Sequence, residues 1–324
     1  MNNQFDSPRE RSRSLASLEQ PAPLSRGELT KALAQSITRR AALKKFGVGL
    51  AGMALARFGL NNAQAITNGQ LDGNAHPNVG GFVWLKNIFS PAYAAPPPLV
   101  VGAGSLIHPR VILTAGHGTR LIEEAIAGGM MTMDDLLFSF ASDANNPATR
   151  RAISGVLTHP DFNPKPDANG NIPSADVGVA ILKEPVNNLP LMPLPPLGFL
   201  DALDAAGALR SGSDQTKFTV VGYGTVLGDN PSITPWPPDG LRRVAQSEFR
   251  SLHGQWLFLN QNPVQDLGGS GTGDSGGPVL WTDPLTGETT LVAITSRGNQ
   301  SFGNKYRVDT AEALDFLNDV LESI

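Results

Sequence analysis

Ser275 stands among four glycines and an aspartate in Gly271-Thr272-Gly273-Asp274-Ser275-Gly276-Gly277-Pro278, directly before an apolar run that begins Val279-Leu280. Glycines let a backbone turn sharply and aim successive N–H groups at one point, the arrangement that stabilises an oxyanion beside an attacking hydroxyl. Gly273 and Ser275 are the expected donors. A serine hydroxyl is a weak nucleophile unless a base takes its proton and a third group orients that base; without such partners the stretch is a flexible turn between strands. The same residues fit G-x-S-x-G, the nucleophile elbow of a fold in which the histidine follows the serine. The five histidines are His76, His108, His117, His159 and His253, all upstream of Ser275. The elbow reading therefore fails, and the base must come from earlier in the chain.

Two earlier stretches supply candidates. Ser105 to Thr114 reads as a strand rich in apolar and β-branched residues, and Ala115-Gly116-His117 follows it, so that His117 would be held rigidly at a strand end. His108 and His253 read as structural or surface residues. In Ala175-Asp176-Val177-Gly178-Val179-Ala180-Ile181-Leu182 one acid enters an otherwise apolar strand, which is costly unless the carboxylate is paired. Nucleophile, base and orienting acid are thus all present, in the order His117, Asp176, Ser275.

The elements that must position them are mostly short strands. The chain has 324 residues, 40% of them hydrophobic, with 35 Gly and 26 Pro, a balance that favours an all-β protein with many turns. Strand runs are Gly81–Leu85, Pro98–Gly102, Phe218–Gly224, Val279–Trp281 and Thr290–Thr295, while residues 121–140 read as a short helix or surface insertion stopped at Gly128-Gly129. Residues 66–190 are expected to form an N-terminal β domain carrying His117 and Asp176, and the proline-rich 191–216 a linker. Residues 217–310 are expected to form a C-terminal β domain of the same kind carrying Ser275, and 311–324 a closing amphipathic helix. With no cysteine in the chain, disulfides, thiolate metal sites and thiol nucleophiles are excluded, and no metal or other cofactor is expected.

Residues 1–65 read as a disordered preface followed by an export signal. Thr38-Arg39-Arg40-Ala41-Ala42-Leu43-Lys44 is basic, Phe46 to Ala56 is apolar, and Ala63-Gln64-Ala65 is an A-x-A site, so cleavage is expected after Ala65. The paired arginines resemble the twin-arginine type, with Ala42 in place of its usual phenylalanine, and this machinery carries already folded proteins. The apolar run is shorter than the roughly 20 residues that span a bilayer, so no stable membrane insertion is expected after its removal. The leader holds ten of the 25 basic and four of the 29 acidic residues, leaving a remainder near −10 in charge. That acidity disfavours nucleic acid as a partner, and a periplasmic or extracellular location is expected.

The motifs Leu113-Thr114-Ala115-Gly116-His117, Ala175 to Leu182 and Gly273-Asp274-Ser275-Gly276-Gly277-Pro278 resemble, in this order, those of the chymotrypsin-like (trypsin-family) serine endopeptidases. Val221-Gly222-Tyr223-Gly224-Thr225 and Thr295-Ser296-Arg297-Gly298 resemble two further segments, so the similarity spans about residues 66–320. The resemblance implies that the two β domains, 66–190 and 217–310, are two antiparallel Greek-key β-barrels with the active site in the cleft between them. It implies His117 as base, Asp176 as its orienting acid, Ser275 as nucleophile and the amides of Gly273 and Ser275 as oxyanion hole, acting on protein or peptide substrates. Ser296 would support Asp176 and line the substrate cleft. The specificity pocket would have its floor at Gly269, with Ser270 beside it and Gly298 and Gly303 as walls. An acid-free floor implies a preference for uncharged residues before the cut, unless Asp266 swings in to select Lys or Arg. Ile66-Thr67-Asn68-Gly69 resembles the activated N-terminus whose amino group pairs with the acid before the nucleophile, here Asp274. The chain departs from the family at Gly118 and Gly102, where a cysteine pair is usual, and lacks the bridge near the serine. A catalytically silent homologue acting as a binding module, and an esterase using the same groups, are the alternatives that the intact His117, Asp176 and Ser275 leave.

Overall fold

Short runs with buried apolar positions, broken by turns, roll into two closed antiparallel sheets. A computed structural model of the chain describes residues 69–89, 95–165, 175–212, 216–225, 237–262, 265, 267–299 and 301–324. The expected leader, its cleavage site at Ala65, Ile66 and Asp266 lie outside the described residues. A short strand β1 (Gln70–Leu71) comes first. The strands β2 (Val79–Trp84), β3 (Leu99–His108), β4 (Val111–Thr114), β5 (Leu136–Ser139), β6 (Arg150–Thr158) and β7 (Gly178–Leu182) then close a barrel in the order β2-β3-β4-β7-β6-β5. The strands β8 (Lys217–Gly222), β9 (Arg243–His253), β10 (Trp256–Asn260), β11 (Pro278–Thr282), β12 (Thr289–Gly298) and β13 (Phe302–Arg307) form a second ring, β8-β9-β10-β13-β12-β11, closed by the β8–β9 pairing.

In each barrel three consecutive strands lie side by side and the fourth returns beside the first, the Greek-key path. This is the expected fold, completed by helices α1 (Gly116–Ala127), α2 (Phe199–Ala205) and α3 (Ala311–Glu322). Residues 121–140 divide between the end of α1, which stops at Gly128, and the barrel strand β5. Closing the sheets removes exposed strand edges and leaves each barrel an interior to fill. Phe82, Leu106, Ile112, Leu136, Phe138 and Ile153 fill the first, with Phe82 and Phe140 edge-on to Phe138 at 4.9 Å. Phe218, Leu257, Leu259, Val279 and Val292 fill the second. A third apolar cluster runs along the seam: Leu113 and Val179 of the first barrel meet Leu280, Ile294 and Tyr306 of the second and Leu317 of α3.

Polar contacts also cross the seam. Arg242, with no exposed surface, donates from Nε to Asp72 Oδ2 at 2.7 Å and from Nη1 to the carbonyls of Val79 and Phe140, both at 2.8 Å. Asp72 follows β1, which pairs with β9 of the second barrel, and accepts a further 2.5 Å contact from His76 Nδ1. The linker is tied down similarly: Leu200 is buried in the second core, and Arg307 bridges Asp201 of α2 and Asp309 at 2.6 and 2.8 Å.

A buried ion pair broken on one side leaves an uncompensated charge, at about 3–5 kcal/mol. Arg242→Met should therefore lower the melting temperature by roughly 6–20 °C, read by circular dichroism. Burial raises the Asp72 pKa, but its bonds to His76 and Arg242 more than offset this and hold it below the ordinary 3.8. The stabilisation is therefore present above that value and lost as pH falls through the lower folded one, so the gap between wild type and variant should narrow below about pH 4.

Candidate active site

His117 does not end a strand but occupies the first turn of α1, two residues after Ala115, the cap that follows β4. The first N–H groups of a helix have no partner within it. That of His117 donates to Asp176 Oδ1 at 2.7 Å, and the helix N-terminus favours this anion. The approach is close: a Cβ on Gly116 would stand 2.9 Å from both the N and the O of Val177, so only glycine lets the helix start against the chain that carries Asp176. Asp176 itself precedes β7 rather than lying in it, after Ala175 at φ +56°.

The imidazole spans the gap between acid and serine. His117 Nδ1 lies 3.0 and 3.1 Å from the two oxygens of Asp176, and Nε2 lies 2.8 Å from Ser275 Oγ. Ser296 Oγ, from β12, donates to Asp176 Oδ2. The carboxylate is 1% exposed; burial raises its pKa, but the charge of His117 and the bonds from His117 and Ser296 outweigh burial and hold it below 3.8. An ionised Asp176 fixes the imidazole with its proton on Nδ1 and leaves Nε2 to accept from Ser275.

The serine loop is held across the seam by backbone. The N–H of Gly102 donates to Gly273 O at 2.9 Å and that of Ala103 to Ser275 O at 2.8 Å, so β3 of the first barrel carries the turn that bears the nucleophile. Gly102 adopts φ +91°, a conformation that side chains other than glycine rarely tolerate. On the other flank Gly276 N donates to Thr295 O and Thr295 N to Gly277 O, both at 2.8 Å. Among the described residues no acceptor meets the N–H of Gly273 or of Ser275. Two fixed amides beside a hydroxyl already bonded to an imidazole can receive the charge that develops when the hydroxyl adds to a carbonyl.

Asp274 is wholly buried behind this loop. Gly224 N donates to its Oδ1 at 2.7 Å and Gly271 N to its Oδ2 at 2.8 Å. Burial pushes its pKa up to about 6, against the opposing pull of those two bonds and of Lys305 and Arg243.

Of the expected pocket positions, Gly298 and Gly303 face each other across the β12–β13 pair, and Ser270 is buried beside Gly269. Two residues missed in the sequence complete this region. The Gln261 side chain fills the space a side chain at Gly269 would need, and its Nε2 donates to Ser270 O at 2.9 Å and Asn299 O at 2.7 Å. Lys305, fully buried, is directly opposite Thr295 on β13 and donates to Ser270 Oγ. The uncharged floor expected from Gly269 is thus overlooked by an ammonium group. Neither residue carries a local motif, and only strand pairing brings them here. Among the described residues no three His, Asp or Glu side chains converge as a metal site would require, and no helix is long and apolar enough to cross a membrane.

A protein-family model described as Trypsin matches residues 99–316. No curated protein matches the chain.

A hydrogen bond to a charged group is worth about 1.5–3 kcal/mol, and about 1.4 kcal/mol is a factor of ten in rate. Ser296→Ala should therefore lower kcat/KM of the hydrolytic activity proposed below by roughly ten- to a hundredfold. Because Ser296 helps hold the Asp176 pKa down, its loss raises that pKa, and the acid limb of the pH–rate profile should move to higher pH.

Proposed function

The chain belongs to the trypsin family, and on that footing we propose that it is an exported serine endopeptidase. The observation that carries this reading is the unbroken hydrogen-bonded line from Ser275 Oγ through the His117 ring to Asp176, beside two amides that meet no acceptor among the described residues. In this reaction Ser275 attacks the peptide carbonyl while His117 Nε2 takes its proton. Asp176 stabilises the imidazolium, and the Gly273 and Ser275 amides receive the oxyanion. His117 then protonates the leaving amine, and water attacks the acyl-enzyme by the same route in reverse. Each amide donor contributes about 3 kcal/mol in enzymes of this chemistry.

Ser275→Ala and His117→Ala should each reduce casein hydrolysis by several orders of magnitude with the melting curve preserved, and the double variant should lose little more, since the groups act as a unit. Casein cleavage by Ser275→Ala near the wild-type rate would overturn the assignment.

Export and activation belong to the same proposal. Removing residues 1–65 would free the amino group of Ile66, and Asp274, ionisable, buried and next to the nucleophile, is the acid it would reach. The pairing of β1 with β9, a few residues on, supports an entry path along the second barrel. N-terminal sequencing of the exported protein should give Ile66, and one added residue before it should lower kcat at least tenfold. A mature terminus elsewhere, or full activity with the extension, rejects this route and leaves the triad assignment standing.

A further inference from the structure

We infer that Lys305 makes this a peptidase selective for an acidic residue immediately before the cut, its ammonium receiving the substrate's carboxylate; the inference rests on the endopeptidase reading. Side chains two apart on a strand share a face, so Lys305 and Gly303 point the same way. A Cβ on Gly303 would come within 2.8 Å of Lys305 Cε, 2.9 Å of its Nζ and 2.6 Å of Gln261 Oε1. The bare glycine therefore lets the lysine lie back along β13 and bring its ammonium among Gly303, Gln261 and Ser270. Thr295, the residue opposite Lys305, precedes Ser296 on Asp176 and bonds to Gly276 and Gly277 of the serine loop. The cation is thus fixed one strand away from the reacting groups.

The ammonium is short of partners. It donates to Ser270 Oγ and, at 3.4 Å, to Thr295 Oγ1, and among the described residues no carboxylate stands within 4 Å of it. Its charge is felt by Asp274, itself already held by two backbone amides. Burial pushes the Lys305 ammonium down to about 7 and Asp274 only partly restores it. A buried cation with no carboxylate in contact is costly, and one brought in by the substrate would supply that contact. Gln261 Oε1 is buried with no hydrogen-bond partner among the described residues, a second polar atom at the same place, and it can accept from the bound ammonium as the carboxylate pulls it forward. A Lys or Arg side chain would meet like charge instead. The expectation of a preference for uncharged residues, drawn from an acid-free floor, thus gives way to an anionic preference set from the neighbouring strand.

Four fluorogenic peptides that differ only in Glu, Gln, Leu or Arg before the bond test this with the purified enzyme. The expected result is kcat/KM for Glu at least tenfold above Gln and Leu, with Arg lowest. Lys305→Met should drop the Glu/Leu ratio at least a hundredfold, and Lys305→Arg should keep Glu above Leu. Gln, Leu or Arg cleaved as fast as Glu by the wild type overturns the inference without any variant. A Lys305→Met enzyme slowed equally on all four also overturns it, since the lysine would then act by supporting Asp274. A protein that cleaves none of them and leaves Ser275 unlabelled by a fluorophosphonate removes the endopeptidase reading, and this inference with it.

Discussion

Asp176 is an anion kept out of water, and much of the structure around it exists to make that tolerable. It takes an N–H from the helix start, an N–H from the imidazole and a hydroxyl from β12. The first two come from the first barrel and the third from the second, so satisfying one carboxylate requires the barrels to dock in one register. An unpaired buried charge costs several kcal/mol, which gives that docking an electrostatic as well as an apolar reason. The same docking sets the His117–Ser275 contact, because β3 holds the serine loop by two backbone hydrogen bonds.

Without a cysteine, the seam relies on packing and polar ties that can be read individually. Gly102 uses its freedom of φ to donate to Gly273 O, so a backbone bond ties β3 to the serine loop at this point of the seam. Arg242 gathers the entering chain at Asp72, the rim of the first barrel at Val79 and Phe140, and the second barrel from which it projects. Arg307 does the same for the linker helix and the strand that leads to α3. Each arginine spends its planar array of donors on several partners at once, a geometry that lysine does not offer.

The candidate site was legible where its chemistry is local. Each of His117, Asp176 and Ser275 sits in a contiguous motif whose glycines, apolar neighbours and charge have a reason visible within eight residues, and Ser296 shared that advantage. Lys305, Gln261 and Arg242 were not legible, because a cation or amide in a mixed strand reads as a solvated face until pairing places it inside. β9 and β13, with several charged residues each, hid for the same cause, and β5 was masked by the helical pattern running up to it. Two β domains were nonetheless readable from short strands, turns and a central proline-rich crossing, while their form as Greek-key barrels followed from the family resemblance.

Both barrels follow one path: three neighbouring strands, a return beside the first, and closure. Two halves built on the same route share the proposed chemistry between them, base and acid falling to one and nucleophile to the other. Neither half holds a working set. Each barrel closes on itself, yet the contact between His117 and Ser275 exists only where the two are docked. The proposed reaction centre is in that sense a property of a partnership within the chain, held by neither member alone.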